Sequence, residues 1–256
     1  MYGKYHFHFQ KNVLKRMVYG VLGGPNISDW IRFWNVSRAL KGLDASGTLQ
    51  ILDAGCGRGF YSLMLAERFP GAAITAVDDD NALVKGLQET ALSIGLGLIT
   101  ASRADLSTYV PGKKFNLICC VDVMEHIVDH DAVFNNFTNW LAPGGFLILH
   151  VPQKNQKFLF IKRTPGQAGD LHCREGYDLS ELTAKLEPRG LKVIFYKHTF
   201  DRLASLATEL DEILWRNHLH LVWLVFYPIF LLIAVWDIIH RGKQGQGILI
   251  TAKKNV

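Results

Sequence analysis

Gly55, Gly57 and Gly59 stand on alternate positions in "ILDAGCGRGFYS" (residues 51–62), just after the carboxylate of Asp53. Glycines fall this way where the backbone must take positive φ or let a ligand approach closer than a Cβ allows. The loop, with Cys56 inside it, is therefore a candidate cradle. More acids follow at the ends of later apolar runs: Asp78 with Asp79, Asp105 beside Leu106, and Asp122. An acid at a second strand end accepts ribose hydroxyl protons, and one at a third can accept from an adenine amine. Asp also caps helices, so Asp78 and Asp105 have a local reading as well. Two histidines, His126 in "VDVMEH" and His172 in "GDLHCREGY", have the chemistry to take a proton from a nucleophile near neutral pH. His150 lies in an apolar run and reads as a strand side chain.

A dinucleotide needs G-x-G-x-x-G, whose third glycine packs closely below the pyrophosphate. Here Phe60 holds that position and the third glycine comes one residue early. A nicotinamide oxidoreductase is thus the weaker alternative. S-adenosylmethionine carries an adenosine but no phosphate, so a bare backbone beneath its tail and a carboxylate near its cationic groups suffice. Asp53 and the three glycines suit that cofactor better.

These residues need a scaffold. "TLQILDAG", "AAITAVDDD", "GLITASRAD", "FNLICCVD" and "GFLILHVP" read as strands, separated by helical segments from Phe60 to Arg68, "NALVKGLQETALSIG" and "VMEHIVDHDAVFNNFTNWLAPGG". Strands alternating with helices predict a doubly wound α/β fold with a parallel sheet covered on both faces. After Pro152 comes a polar, lid-like stretch, then helix "LSELTAKLEPRG", strand "LKVIFYKHTF" and a last apolar run, "GILITAKK". The expected divisions are a helical extension or lid over 1–47, a nucleoside-binding core over 48–200, an apolar helical insertion over 201–245 and a final core strand over 246–256.

In this order, "ILDAGCGRG", "ITAVDDD", "SRADL" and "FNLICCVDVMEHIVD…LAPGGFLILHVP" resemble the successive motifs of the class I S-adenosylmethionine-dependent methyltransferases, over roughly Thr48 to Pro152. "VDVMEH" is similar to the "evLEH" segment of the small-molecule branch that includes ubiquinone-type O-methyltransferases. The resemblance implies a Rossmann-like, seven-stranded sheet whose last strand is antiparallel. It implies that Asp53 and the glycines hold the methionine part, Asp78 the ribose, and Asp105 with Leu106 the adenine, while Asp122 lines the methyl-transfer face. Related quinone methyltransferases hold a divalent metal near this point, and Glu125, His126 and Asp129 imitate that pattern weakly; the expectation is that no metal is held. Asn116 stands where the family often has Asp.

The implied activity is methyl transfer to a small molecule, with an oxygen nucleophile on a lipophilic, aromatic or glycan-type acceptor as the expectation. A non-catalytic adenosyl-binding or membrane-docking module is the remaining alternative. The chain has 256 residues, is 49% apolar and carries a formal charge of +5 with both signs interspersed, which does not argue for nucleic acid. Four cysteines without paired spacing read as reduced thiols of a cytoplasmic protein, membrane association staying open. The opening residues carry charges throughout and do not read as a signal peptide. From Leu221 to Trp236 no residue is charged, and Pro228 interrupts the run. Across 219–241 this segment reads as a core or homodimer helix, a wall for a lipophilic acceptor, or a peripheral membrane contact with basic flanks. The N-terminal Tyr5, His6 and His8 are further acceptor-side candidates.

Overall fold

The computed structural model describes residues 26–43, 49–161 and 173–256. Seven strands form one sheet in the order β3-β2-β1-β4-β5-β7-β6. They are β1 (Gln50–Ala54), β2 (Ala73–Asp78), β3 (Ile99–Arg103), β4 (Phe115–Val121), β5 (Leu141–Pro152), β6 (Leu191–Thr199) and β7 (Gly247–Lys254). The first five pair in parallel, and β7 runs antiparallel to both β5 and β6. Parallel strands need crossovers that cover both faces, and the helices supply them. Helices α1 (Ile27–Lys41), α2 (Phe60–Arg68) and α3 (Asn81–Ser93) pack one face through Leu40, Leu65 and Leu87. Helices α4 (His130–Trp140) and α5 (Leu179–Leu186) pack the other through Phe134, Phe137 and Leu182. Cys56, Cys119 and Cys120 are buried thiols in these two cores, and none of the four cysteines is bonded to another.

Helix α4 ends earlier than its Pro–Gly signal suggests. "LAPGG" belongs to β5, which pairs Leu141 with Phe115 and, after a bulge, Phe146 with Leu117. The close approach of the strands at this bulge needs a glycine, since a Cβ at Gly145 would lie 2.9 Å from the Ala142 carbonyl and 3.1 Å from that of Phe115. Asn116 faces outward and accepts the Gln50 amide at 2.8 Å, which ties β4 to the start of β1.

Between β6 and β7 the insertion forms two helices, α6 (Arg202–Arg216) and α7 (His220–Ile239). Pro228 lies inside α7 without ending it, so the helix is longer than the uncharged run alone. Trp223, Tyr227, Phe230 and Ala234 from α7 and Ala204 and Ala207 from α6 pack with Ile27 and Ile31 of α1 into a third cluster. Helix α1 thus joins the hairpin to the sheet.

Candidate functional site

At the carboxyl end of β1 the glycines do two different jobs. A Cβ at Gly55 would lie 2.2 Å from Val123, and one at Gly59 would lie 2.2 Å from Leu87 of α3, so both admit neighbouring side chains. Gly57, at φ 50°, has nothing within 4 Å of where its Cβ would stand. Its backbone therefore faces open space, as a cradle requires.

The carboxylates ring this loop at different depths. Asp78 accepts from the Gly57 amide at 2.8 Å and the Asp80 amide at 3.0 Å, bringing a carboxylate against the open glycine. Asp79 is exposed beside it, and Asp80 caps α3. Asp105 accepts from both the amide and the hydroxyl of Ser107, which hold its carboxyl below the usual range; Leu106 beside it is buried in the core. Asp53 lies under the loop, not on it. It is 2% exposed and takes the Ser62 hydroxyl at the start of α2. Burial pushes its carboxyl up to about 7, against the Ser62 hydrogen bonds and with help from the Asp78 charge.

Asp122 follows β4 at φ 52°, a left-handed conformation that Asp tolerates better than most residues. It forms an ion pair with Arg32 of α1, and its other oxygen meets His150 Nδ1 at 2.5 Å. Burial alone would raise this carboxyl, but the guanidinium of Arg32 and then His150 hold it down to about 2. His150 Nε2 in turn meets the Thr199 hydroxyl at 2.9 Å. The bond needs a glycine opposite, since a Cβ at Gly247 would lie 2.5 Å from that hydroxyl.

Asp29, Arg32, Asp122 and His150 form one wall of a cavity of about 620 Å³. Phe158, Phe200 and Trp215 supply apolar surface, and Gln156, Gln246 and Thr208 supply neutral polar groups. Two acids of α6 build the frame. Glu209 accepts the backbone amides of Leu159, Phe160 and Ile161 at 2.7–3.1 Å, fixing the strap after β5. Asp211 accepts the Ile27 amide at 3.2 Å and the Trp223 indole at 2.7 Å, and burial pushes its carboxyl up to about 6. Val123 touches Gly55 while Asp122 lines the cavity, so one dipeptide joins loop and cavity.

Two histidines were expected from the sequence as candidate bases. His126 is exposed in the short 3₁₀ turn Met124–His126, and His172 lies outside the described residues, as do Tyr5, His6 and His8. The neighbours of His172 form a clamp. Arg174 packs 3.7 Å from the centre of the Tyr177 ring, pairs with Glu181 at 2.7 Å, and bonds His130. Glu125 is buried and Asp129 caps α4, so they do not share a site with His126. Among the described residues no cluster of His, Cys, Asp and Glu gathers as a metal site. Sequence reading missed Arg32, Asp29 and the role of His150. Only His150 left a trace, as a polar letter within the apolar run "LILHVP".

This geometry fits S-adenosylmethionine: one open glycine and a carboxylate at the second strand end. Comparisons with known proteins agree. A family model described as a methyltransferase domain matches residues 32–196. A trans-aconitate 2-methyltransferase of Yersinia pestis is 26% identical over 167 residues, 65% of this chain and 59% of its own length. Another from Streptomyces avermitilis is 33% identical over 104 residues, 40% of this chain and 39% of its own. The chain therefore spans less than two thirds of the curated relatives it matches. A Haemonchus contortus phosphoethanolamine N-methyltransferase solved with S-adenosyl-L-methionine superposes with a TM-score of 0.59 at 18% identity, over 93% of this chain and 58% of that one, a likeness of fold. The chain belongs to the methyltransferase-domain family, in the class I type that uses S-adenosylmethionine.

Proposed function

We propose that the protein transfers a methyl group from S-adenosylmethionine to a hydroxyl of a small lipophilic, aromatic or glycan-type acceptor held in the 620 Å³ cavity. The cofactor would supply an electrophilic methyl on a sulfonium, with Gly57 and Asp78 holding its nucleoside and tail. Methyl transfer is an in-line displacement, so the protein's work is to place the nucleophile and exclude water. The observation that carries the reading is Asp122, the carboxylate that joins cradle and cavity.

Held near 2, Asp122 is ionised at neutral pH and is a weak base. Its role is to accept the hydrogen bond of the acceptor hydroxyl and aim it, while Arg32 and His150 keep the carboxylate still. The proton then needs a different acceptor. His126 and His172 are the proposed bases, His126 because it stands four residues after Asp122 in the turn that follows β4.

The names of the curated relatives suggest trans-aconitate, a polyanion. The cavity argues for another acceptor: among the described residues it presents Asp29, Asp122, Glu209, Asp211 and Glu212 against Arg32 and Arg216, and Arg32 is already paired. Carboxylates and amides beside Trp215 and Phe158 suit hydroxyl donors on an apolar or sugar-like frame. Peripheral membrane contact through 219–241 belongs to the same reading, with homodimerisation as its competitor.

The test is incubation of the purified protein and bacterial extracts with isotope-labelled S-adenosylmethionine, then mass spectrometry of the products. An O-methyl ether that disappears with Asp122→Asn is the expected result. A labelled carboxylate ester or methylamine would replace the acceptor class, and no product from any extract would favour a non-catalytic binding role.

A further inference from the structure

Helix α7 is apolar on both faces. Trp223, Tyr227, Phe230 and Ala234 face inward and are buried against α1 and α6. The opposite face carries Leu221, Val225, Ile229, Leu232, Trp236 and Ile239, whose spacing follows the helical repeat. Leu221 is 83% exposed, Val225 71% and Leu232 70%. With 20 residues the helix is about 30 Å long, and its most apolar 18-residue window has a mean hydropathy of 2.3, yet only 33% of that window is buried. A stripe of that length lies beyond the scattered apolar residues of an ordinary surface.

Both ends of the stripe are basic. Arg216, His218 and His220 stand at its start, and His240, Arg241 and Lys243 at its finish; all six are exposed. Between 213 and 243 the sole carboxylate is Asp237, which is 2% exposed and faces inward. At the second end Arg38 of α1 and Arg241 line one cavity of about 280 Å³ with Ile238 and Ile239, so a cationic recess opens where the apolar stripe stops.

We propose that the outward face of α7 docks on an anionic lipid bilayer, with the helix lying in the plane of the interface and a lipid phosphate seated between Arg38 and Arg241. This rests on the peripheral contact proposed above and fixes its face, orientation and lipid class. Apolar residues enter the acyl boundary while basic groups at both ends meet headgroups. The orientation follows from polar clamps at each end of the inner face. Near the start, the Trp223 indole donates to Asp211 at 2.7 Å. Near the end, Asp237 accepts the Asp201 amide at 2.8 Å and Asn35 at 3.3 Å, while Lys197 donates to the Ile238 carbonyl at 2.9 Å. A membrane-crossing helix would have to abandon these bonds and carry Asp237 into hydrocarbon. A second copy of the chain fits less well. Both ends being basic, either orientation of two paired α7 helices sets like charges together.

The test is flotation of the full chain with vesicles of phosphatidylcholine alone and of phosphatidylcholine with phosphatidylglycerol. The protein should float with the anionic vesicles, weakly or not at all with the neutral ones, and be released by alkaline carbonate. Val225→Glu with Leu232→Glu should abolish flotation while leaving circular dichroism and cofactor affinity by calorimetry unchanged. Arg38→Ala with Arg241→Ala should weaken partitioning roughly thirtyfold, at about 1 kcal/mol per basic residue near the surface. Added inorganic phosphate should not compete at millimolar concentration; competition would assign the recess to a free anion. Three outcomes overturn the proposal: no flotation of the wild type, resistance to carbonate extraction, which would mean a spanning helix, and a wild-type dimer that the double glutamate variant converts to monomer. Vesicle binding is read without turnover, so its failure leaves methyl transfer untouched, and a floating but inactive protein would sink only the latter.

Discussion

The two carboxylates that flank the site, Asp53 on the cofactor side and Asp122 on the acceptor side, both stand at strand ends, the first buried and the second partly exposed, and their surroundings drive them in opposite directions. Asp53 has a hydroxyl for a partner and rises to about 7. Asp122 has Arg32 and His150 and falls to about 2. The cofactor side is made from one continuous strand–loop–helix unit with adjacent strand ends. The acceptor side is assembled from α1, the ends of β5 and β6, and α6. Local chain geometry shapes the first, and long-range ion pairing holds the second.

The largest effect should come from separating the glycines. Gly57→Val places a side chain in the open cradle, and cofactor affinity should fall by roughly a hundredfold, about 2.7 kcal/mol, in calorimetric titration. The left-handed backbone costs only about 1–2 kcal/mol, so the variant still folds. Gly55→Val drives into Val123 and should give little folded protein. Equal stability of the two variants would show that the loop is not divided between packing and binding.

Asp122→Asn comes next. Losing a preorganised charge at the reacting centre should lower kcat by about a hundredfold to a thousandfold, while cofactor affinity, set by Gly57 and Asp78, changes by less than about threefold. Arg32 loses its ionic partner, so the melting temperature should fall as well. A variant with full kcat would move the acceptor away from this wall. An intermediate loss is expected for His150→Gln, which keeps a hydrogen bond to Asp122 but not the imidazole; unchanged turnover would reduce His150 to packing.

The sequence made one side of this comparison legible because its signals are local. Alternating glycines, strand-end acids and the switch between periods of two and 3.6 all lie within a few residues of one another. The succession of the first five strands along the chain followed from them, whereas the antiparallel last strand was implied by the family resemblance. Local signals also misled where tertiary pairing overrode them: the Pro–Gly pair at 143–144 reads as a helix stop but sits within β5. Nothing near Arg32 announces that it will meet Asp122, because ninety residues and most of the sheet separate them (122 − 32 = 90). The acceptor cavity belongs to that second kind of information. So does the exposure of α7, since an apolar helix with one packed face and one bare face carries the same letters as one buried all round.

The contrast itself is tested without any ligand, through the pH dependence of Asp53→Asn. A folded-state value near 7 against the ordinary 3.8 of an aspartate means that the folded protein binds the extra proton between those limits. Wild-type stability should therefore drop as pH rises from about 4 to about 7, because ionising Asp53 in the folded state costs more than in the unfolded chain. Asparagine keeps an acceptor for Ser62 and cannot ionise. The melting-temperature difference between variant and wild type should thus shift in the variant's favour from pH 4 to pH 7 and then level off. Each pKa unit is about 1.4 kcal/mol, which for a chain of this size is roughly 2–4 °C. For Asp122 the sign reverses. Its ion pair stabilises the fold above about pH 4 and is lost as pH falls towards 2, so Asp122→Asn should cost most at neutral pH and least in acid. Two profiles of the same sign would mean that both carboxylates share one environment, and the division of the site into a locally built side and an ion-paired side would fail.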